Sequence, residues 1–476
     1  MNEDRFRKLI LFLILVIVVL TVFRQGVTVG LPPSGREVLE LFRWTFSDIA
    51  PSIAREGNVA YVTRADVILA LTTIVWFVWL VVRRQAARAA TVSGVVYSLG
   101  VWPIVSLAFS WWFSKRGMVG GPAGVREVVQ HFEYFVIAFA LFGSVMSRAS
   151  ARRVLVFFLL VGAAAMGVGV YLVYSAMRGT PVLGGLGAKS IGFEGWASQA
   201  RLAALLAPIF FGCAAFDTHL LRRIFWSAAT VASLITCVSG PLLATAIVVI
   251  LVLSMIKSER LFACLAIILL FLLPFSWVTR FGPVKEELAK GLWFEPAMRG
   301  ISLEEQAKLR GEASAIAVAA IDENPLVGMG PGADMTPPSL SRYLGRSDSS
   351  EEARGALARA AGPPPYLLTA ARMGIPMVLF FLWVFVLFSR RPLMMMTMPG
   401  EALHQGLGAG LFGAVLVFAV GNFWTPMVAH ETGLPFALIL ACIWRMSEPE
   451  RVEVVGPREA ESRPERPSDD LTLDLS

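Results

Sequence analysis

The chain is dominated by apolar runs too long for a water-soluble core: LILFLILVIVVLTVF over 9–23, SGVVYSLGVWPIVSLAFSWWF over 93–113 and PLLATAIVVILVLSMI over 241–256. About twenty apolar residues in a helix cross a hydrocarbon core roughly 30 Å thick, and a bilayer is the solvent that accepts such runs. The composition agrees, with 56% hydrophobic and 16% charged residues over 476 positions and a mean hydropathy of +0.66. The length criterion predicts an all-α polytopic membrane protein of about twelve spans: 8–23, 65–82, 93–113, 131–146, 154–177, 201–216, 224–239, 241–256, 261–278, 366–388, 404–424 and 429–446. Ser239-Gly240-Pro241 breaks the seventh run from the eighth and predicts a tight hairpin there. Leu9–Phe23 follows Arg5, Arg7 and Lys8 but lacks a small-x-small cleavage site, so it reads as a retained anchor.

The net charge of +7 speaks of topology rather than of nucleic acid, because the cations flank apolar runs. Arg83, Arg84 and Arg88 follow the second span, and Arg148, Arg152 and Arg153 the fourth. Arg222 and Arg223 follow the sixth, Lys257 and Arg260 the eighth, and Arg390 and Arg391 the tenth. All fall on the side of Arg5, Arg7 and Lys8, and the positive-inside rule places both termini in the cytoplasm. Residues 1–278 then hold spans one to nine, 279–365 form one large extracytoplasmic loop, and 366–446 hold the last three spans. Residues 447–476, rich in Glu, Arg and Pro, form a disordered cytoplasmic tail. Cys213, Cys237, Cys264 and Cys442 all lie in apolar runs without metal-ligand or disulfide spacing. No metal or cofactor is called for.

Within the loop, Ser302-Leu303-Glu304-Glu305 is a capping box, and the apolar spacing of Ala313, Ile316, Ala317, Ala320 and Ile321 predicts a helix over about 303–321. Asn324-Pro325 stops it. The next stretch, LVGMGPGADM, carries glycines at 328, 330 and 332. Such spacing supplies a sharp backbone turn, or an anion-binding nest, and the residues alone leave both open.

The order Arg310, DENPLVGMGPGADM, then PYLLTAARMGIPMVLFFLWVF entering a span resembles the O-antigen ligase family, which includes related polysaccharide polymerases of the bacterial inner membrane. The resemblance spans the twelve-helix layout and is sharpest over about 310–385. It implies transfer of a glycan from a polyprenyl pyrophosphate to a lipid or glycan acceptor at the outer face of that membrane. It implies a functional role for Arg310, and guanidinium groups suit a leaving pyrophosphate. Arg201 at the mouth of the sixth span and Arg372 at the start of the tenth are further candidates for that phosphate. Two departures stand out. Pro363 occupies the place of the family's loop histidine and can neither take nor give a proton, and Ser239-Gly240-Pro241 replaces a Ser-Arg pair. Of the four histidines, His219 and His404 fall on the cytoplasmic side and His131 and His430 on the outer side. His430, followed by Glu431, is the candidate substitute base. A lipid-linked sugar transporter and a non-catalytic component of a polysaccharide system are the rival readings. The first would call for internal symmetry and mid-span charges, and neither is visible.

Overall fold

The structure, a computed structural model, describes residues 3–27, 43–45, 61–82, 94–113, 121–177, 193–237, 239–255, 303–340, 361–397, 401–425, 427 and 430–448. The predicted ninth span, Ser302, the remainder of the loop and the tail beyond 448 lie outside them.

The described residues are almost entirely helical. In chain order the helices are α1 (Glu3–Val27), α2 (Arg64–Val82), α3 (Gly94–Phe113), α4 (Gly121–Phe132), α5 (Phe139–Val145), α6 (Arg148–Met177), α7 (Phe193–Phe216), α8 (Leu220–Thr236) and α9 (Gly240–Met255), followed by α10 (Leu303–Glu323), α11 (Pro365–Met373), α12 (Ile375–Thr397), α13 (Ala402–Gly421) and α14 (His430–Ser447). A π-helical segment, Glu133–Ala138, joins α4 to α5 without a break. The exception to the all-helical expectation is an antiparallel pairing of β1 (Arg43–Thr45) with β2 (Tyr61–Thr63).

Five stretches are long and apolar enough to cross a membrane: Gly94–Trp112, Gly124–Val145, Arg148–Tyr171, Ile375–Thr397 and Ala402–Gly421. Shorter apolar helices accompany them at Val67–Val81, Ala200–Phe216, Pro241–Met255 and Thr432–Ser447. The surface matches that solvent. Phe77, Trp111, Leu382, Trp383 and Val386 are exposed, while Phe139, Phe210, Phe388, Phe418 and Phe436 are fully buried. A helical membrane protein accounts for both.

The core is organised around α7, which packs against α8, α9 and α13. Glycines make its contact with α13 unusually close. A Cβ on Gly410 would run into the Ile209 backbone, and one on Gly212 would meet the Gly406 carbonyl and the Gly410 backbone. Backbones approach this way where small residues stand at a four-residue spacing. Phe418 and Phe436 stack at 3.6 Å between α13 and α14.

Two boundaries differ from expectation. The break at 237–239 is present, but α9 packs on α7 and α13, so the predicted α8–α9 hairpin opens rather than folding back on itself. The apolar run from 366 is two helices: α11 ends at Gly374, whose φ of 83° no helix accepts, and the long apolar helix starts at Ile375.

Candidate functional site

The predicted loop helix is α10, which begins at Leu303 and ends at Glu323 beside Asn324-Pro325. Its buried face is Leu309, Ala313, Ala317 and Ala320, with Gln306 at one end. Ala317 and Ala320 cluster with Ala333, Met335 and Ala371, and Leu367 and Leu368 pack against them. Helix α10, the glycine turn and α11 therefore form one small cap with its own apolar centre.

The turn's glycines serve the end of α11. A helix leaves its last four carbonyls without partners, and here all four are taken. Ala370 O accepts from Gly374 N at 2.8 Å, Ala371 O from Met329 N at 2.9 Å and Arg372 O from Gly330 N at 2.9 Å. Met373 O accepts from the Trp102 indole of α3 at 2.7 Å. Ile375 N closes the far side by donating to Pro325 O at 2.8 Å. This backbone-on-backbone packing has no room for side chains. A Cβ on Gly328 would overlap Arg372 and Met373, and one on Gly374 would overlap Leu326. Gly328, Gly330 and Gly332 have φ of 69°, 107° and 75°, the region glycine enters freely. Of the two readings of the glycine spacing, the turn is realised as a helix cap.

Side chains from α3 and α4 hold this cap to the bundle. Ser106 Oγ lies 2.6 Å from Val327 O and 3.3 Å from Arg372 O and shares its one hydrogen between them. Glu127 Oε2 accepts from Gly332 N at 2.8 Å and from Arg372 Nη1 at 3.3 Å. Arg372 Nε donates to Ala333 O at 2.9 Å. One turn further along, His131 Nδ1 lies 2.8 Å from the Glu127 carbonyl. A carbonyl only accepts, so Nδ1 carries the hydrogen and Nε2 of the neutral ring is an acceptor. The His131 ring is buried against Phe135 and Phe381. At the start of α11, Tyr366 donates its hydroxyl to Ala419 O at 2.7 Å.

The sequence-predicted residues distribute unevenly about this cap. Arg372 bonds directly to the turn. Arg310 is half-buried on α10, after Leu309, and α10 packs on α11. Arg201 is half-buried on α7, whose main partners are α8, α9 and α13. His430 opens α14, but its side chain lies outside the described residues. Pro363 is buried just before α11. Sequence reasoning missed Glu127, Ser106 and Trp102 altogether. The available signal was the Glu127/His131 spacing of four in REVVQHF, which puts both on one helix face. The chain matches no protein-family model and no curated protein.

Proposed function

We propose that the chain is an inner-membrane protein of about twelve spans that transfers or polymerises a polyprenyl-pyrophosphate-linked glycan at the outer face. The carrying observation is that the residues of the resemblance form one physical unit. Arg310 lies on α10, α10 packs on α11, the glycine turn caps α11, and α11 leads through Gly374 into the long apolar α12. The uniform placement of short-loop cations supports cytoplasmic termini and an extracytoplasmic cap. In this reading Arg310 and Arg201 bind the pyrophosphate, whose developing charge preorganised guanidinium donors stabilise, and His430 is the substitute base.

Reconstitution of the purified protein with a polyprenyl-pyrophosphate oligosaccharide and an acceptor glycan or lipid A core tests this. The expected result is a lengthened or transferred glycan. Arg310→Lys and Arg201→Lys should each cut turnover about tenfold, equivalent to about 1.4 kcal/mol of transition-state stabilisation, because lysine loses the planar fork. Failure of the wild-type protein to consume donor with any acceptor would favour the second reading, a non-catalytic component of a polysaccharide system. Pro363, without a titratable group where the resemblance wants a histidine, is the observation on that side.

A further inference from the structure

Helix α12 carries its exposed apolar residues on one face. Ile375, Leu379, Leu382, Trp383 and Val386 are exposed and fall at helical spacing, so they form the stripe that α12 turns to hydrocarbon. The stripe does not stop where α12 begins. Ile375 N donates to Pro325 O at 2.8 Å, and Gly374 lies against the Leu326 backbone, which puts Pro325 and Leu326 at its head. Pro325 is exposed, and Leu326 is 68% exposed.

Two helices fix the depth of this turn. On α12 it meets the first residue of the membrane-length stretch Ile375–Thr397. On α3 it meets Ser106, whose Oγ is 2.6 Å from Val327 O, six residues (112 minus 106) inside the end of the stretch Gly94–Trp112. Trp111 and Trp112 beyond it are exposed, as residues of an interfacial aromatic belt are. Both bounds put the turn in the layer where hydrocarbon gives way to headgroups.

The backbone of the turn suits that layer. Irregular backbone is tolerated at membrane depth where its polar groups are satisfied within the protein. Gly328 N donates to Asn324 O at 2.9 Å, and Met329 N and Gly330 N donate to the carbonyls of Ala371 and Arg372. Pro325 O and Val327 O accept from Ile375 N and the Ser106 hydroxyl, and proline has no N–H to satisfy. Outward, residues 325 and 326 offer a pyrrolidine ring and an isobutyl group.

We propose that Pro325 and Leu326 form a wedge seated in the acyl-chain boundary of the leaflet on the cap's side, with bilayer lipid as its partner. The wedge continues the lipid-facing stripe of α12 onto the cap and holds α10 and α11 against the membrane surface. It is independent of glycan transfer and of which leaflet faces outward.

A nitroxide on Leu326→Cys in the full chain, in phosphatidylcholine nanodiscs, tests the wedge, with the unsubstituted chain and its four cysteines as background. Molecular oxygen concentrates in the bilayer and a nickel chelate in water. Collisions with oxygen should exceed those with nickel at 326, as at Leu379→Cys on the stripe, and the order should reverse at Lys308→Cys, exposed on α10. A label at Pro325→Cys should agree, which guards against a folding defect peculiar to 326. Nickel contact at both positions equal to that at 308 would overturn the wedge. So would labels that neither reagent reaches, because protein would then cover the turn. Amides of 303–323 should exchange several-fold faster in Leu326→Asp, since a carboxylate is costly in that layer, while Leu326→Met keeps wild-type protection. Unchanged protection in Leu326→Asp would overturn the wedge as the cap's hold on the membrane.

Discussion

At Gly374 two constraints coincide, a φ of 83° and contact with the Leu326 backbone. Gly374→Ala is expected to lose about 1–3 kcal/mol from a backbone conformation (φ 83°, ψ 165°) that is essentially glycine's alone and about 1–3 kcal/mol more from overpacking. A fall in the thermal midpoint of the purified protein would show it, and an unchanged midpoint would contradict the cap geometry. Tyr366→Phe removes one neutral hydrogen bond to Ala419 O and should cost only about 0.5–1.5 kcal/mol; a larger loss would mean that the hydroxyl does more than anchor α11. The glycines were legible in the sequence because their spacing is a local property. Glu127 was not, since its partner Arg372 lies 245 residues away and a carboxylate near an apolar run carries no mark of what it will meet. His430 stood out over His131 because Glu431 beside it suggested a partner, whereas the partner of His131 is a backbone carbonyl.

Among the elements, α10 was readable almost to its ends. Alanines and isoleucines at helical spacing name a buried face, and Asn324-Pro325 names a stop. The split between α11 and α12 was hidden, because hydropathy sums side chains and does not register one glycine with positive φ inside an apolar run. Ala317, fully buried between α10 and α11, gives a test confined to the cap. Ala317→Arg places a charge where nothing pairs it, at a cost of several kcal/mol. Amides of 303–323 should then exchange much faster while those of the bundle keep their protection; uniform deprotection would show that cap and bundle are one cooperative unit. Gly410→Ala tests the opposite pole of the molecule. Its methyl would push α13 away from Ile209 on α7, and resistance to denaturant in detergent should fall by about 1–3 kcal/mol.

For the whole molecule, solvent class was the most legible property, because it depends on totals and long runs rather than on any contact. Span count and sidedness are harder, since both depend on alternation along the whole chain, and one miscounted run reverses everything after it. Labelling of Ser349→Cys in intact cells addresses sidedness directly. With the loop outside, an impermeant thiol reagent should modify it without lysis. Protection until the membrane is broken would reverse the orientation, placing the cap on the cytoplasmic side and removing glycan transfer at the outer face as a reading.

The six π-helical residues Glu133–Ala138 have a geometric corollary for Glu127. A π segment of this kind holds one residue more than an α-helix of equal rise would need, and each α-helical residue turns the chain by about 100°. The wider turn absorbs that residue, so Glu127 and His131 on one side keep nearly the phase to the packed Phe139–Val145 that an α-helix one residue shorter would give them. Deleting Ile137 should let the span close as plain α-helix with Glu127 still facing Arg372 and Gly332, because the wider π turn absorbs its extra residue within nearly the same rotation. A chain shortened by that residue and inserted in the membrane with its cap still latched would show that the bulge is a local insertion; an unlatched cap would show that the π segment itself aims Glu127.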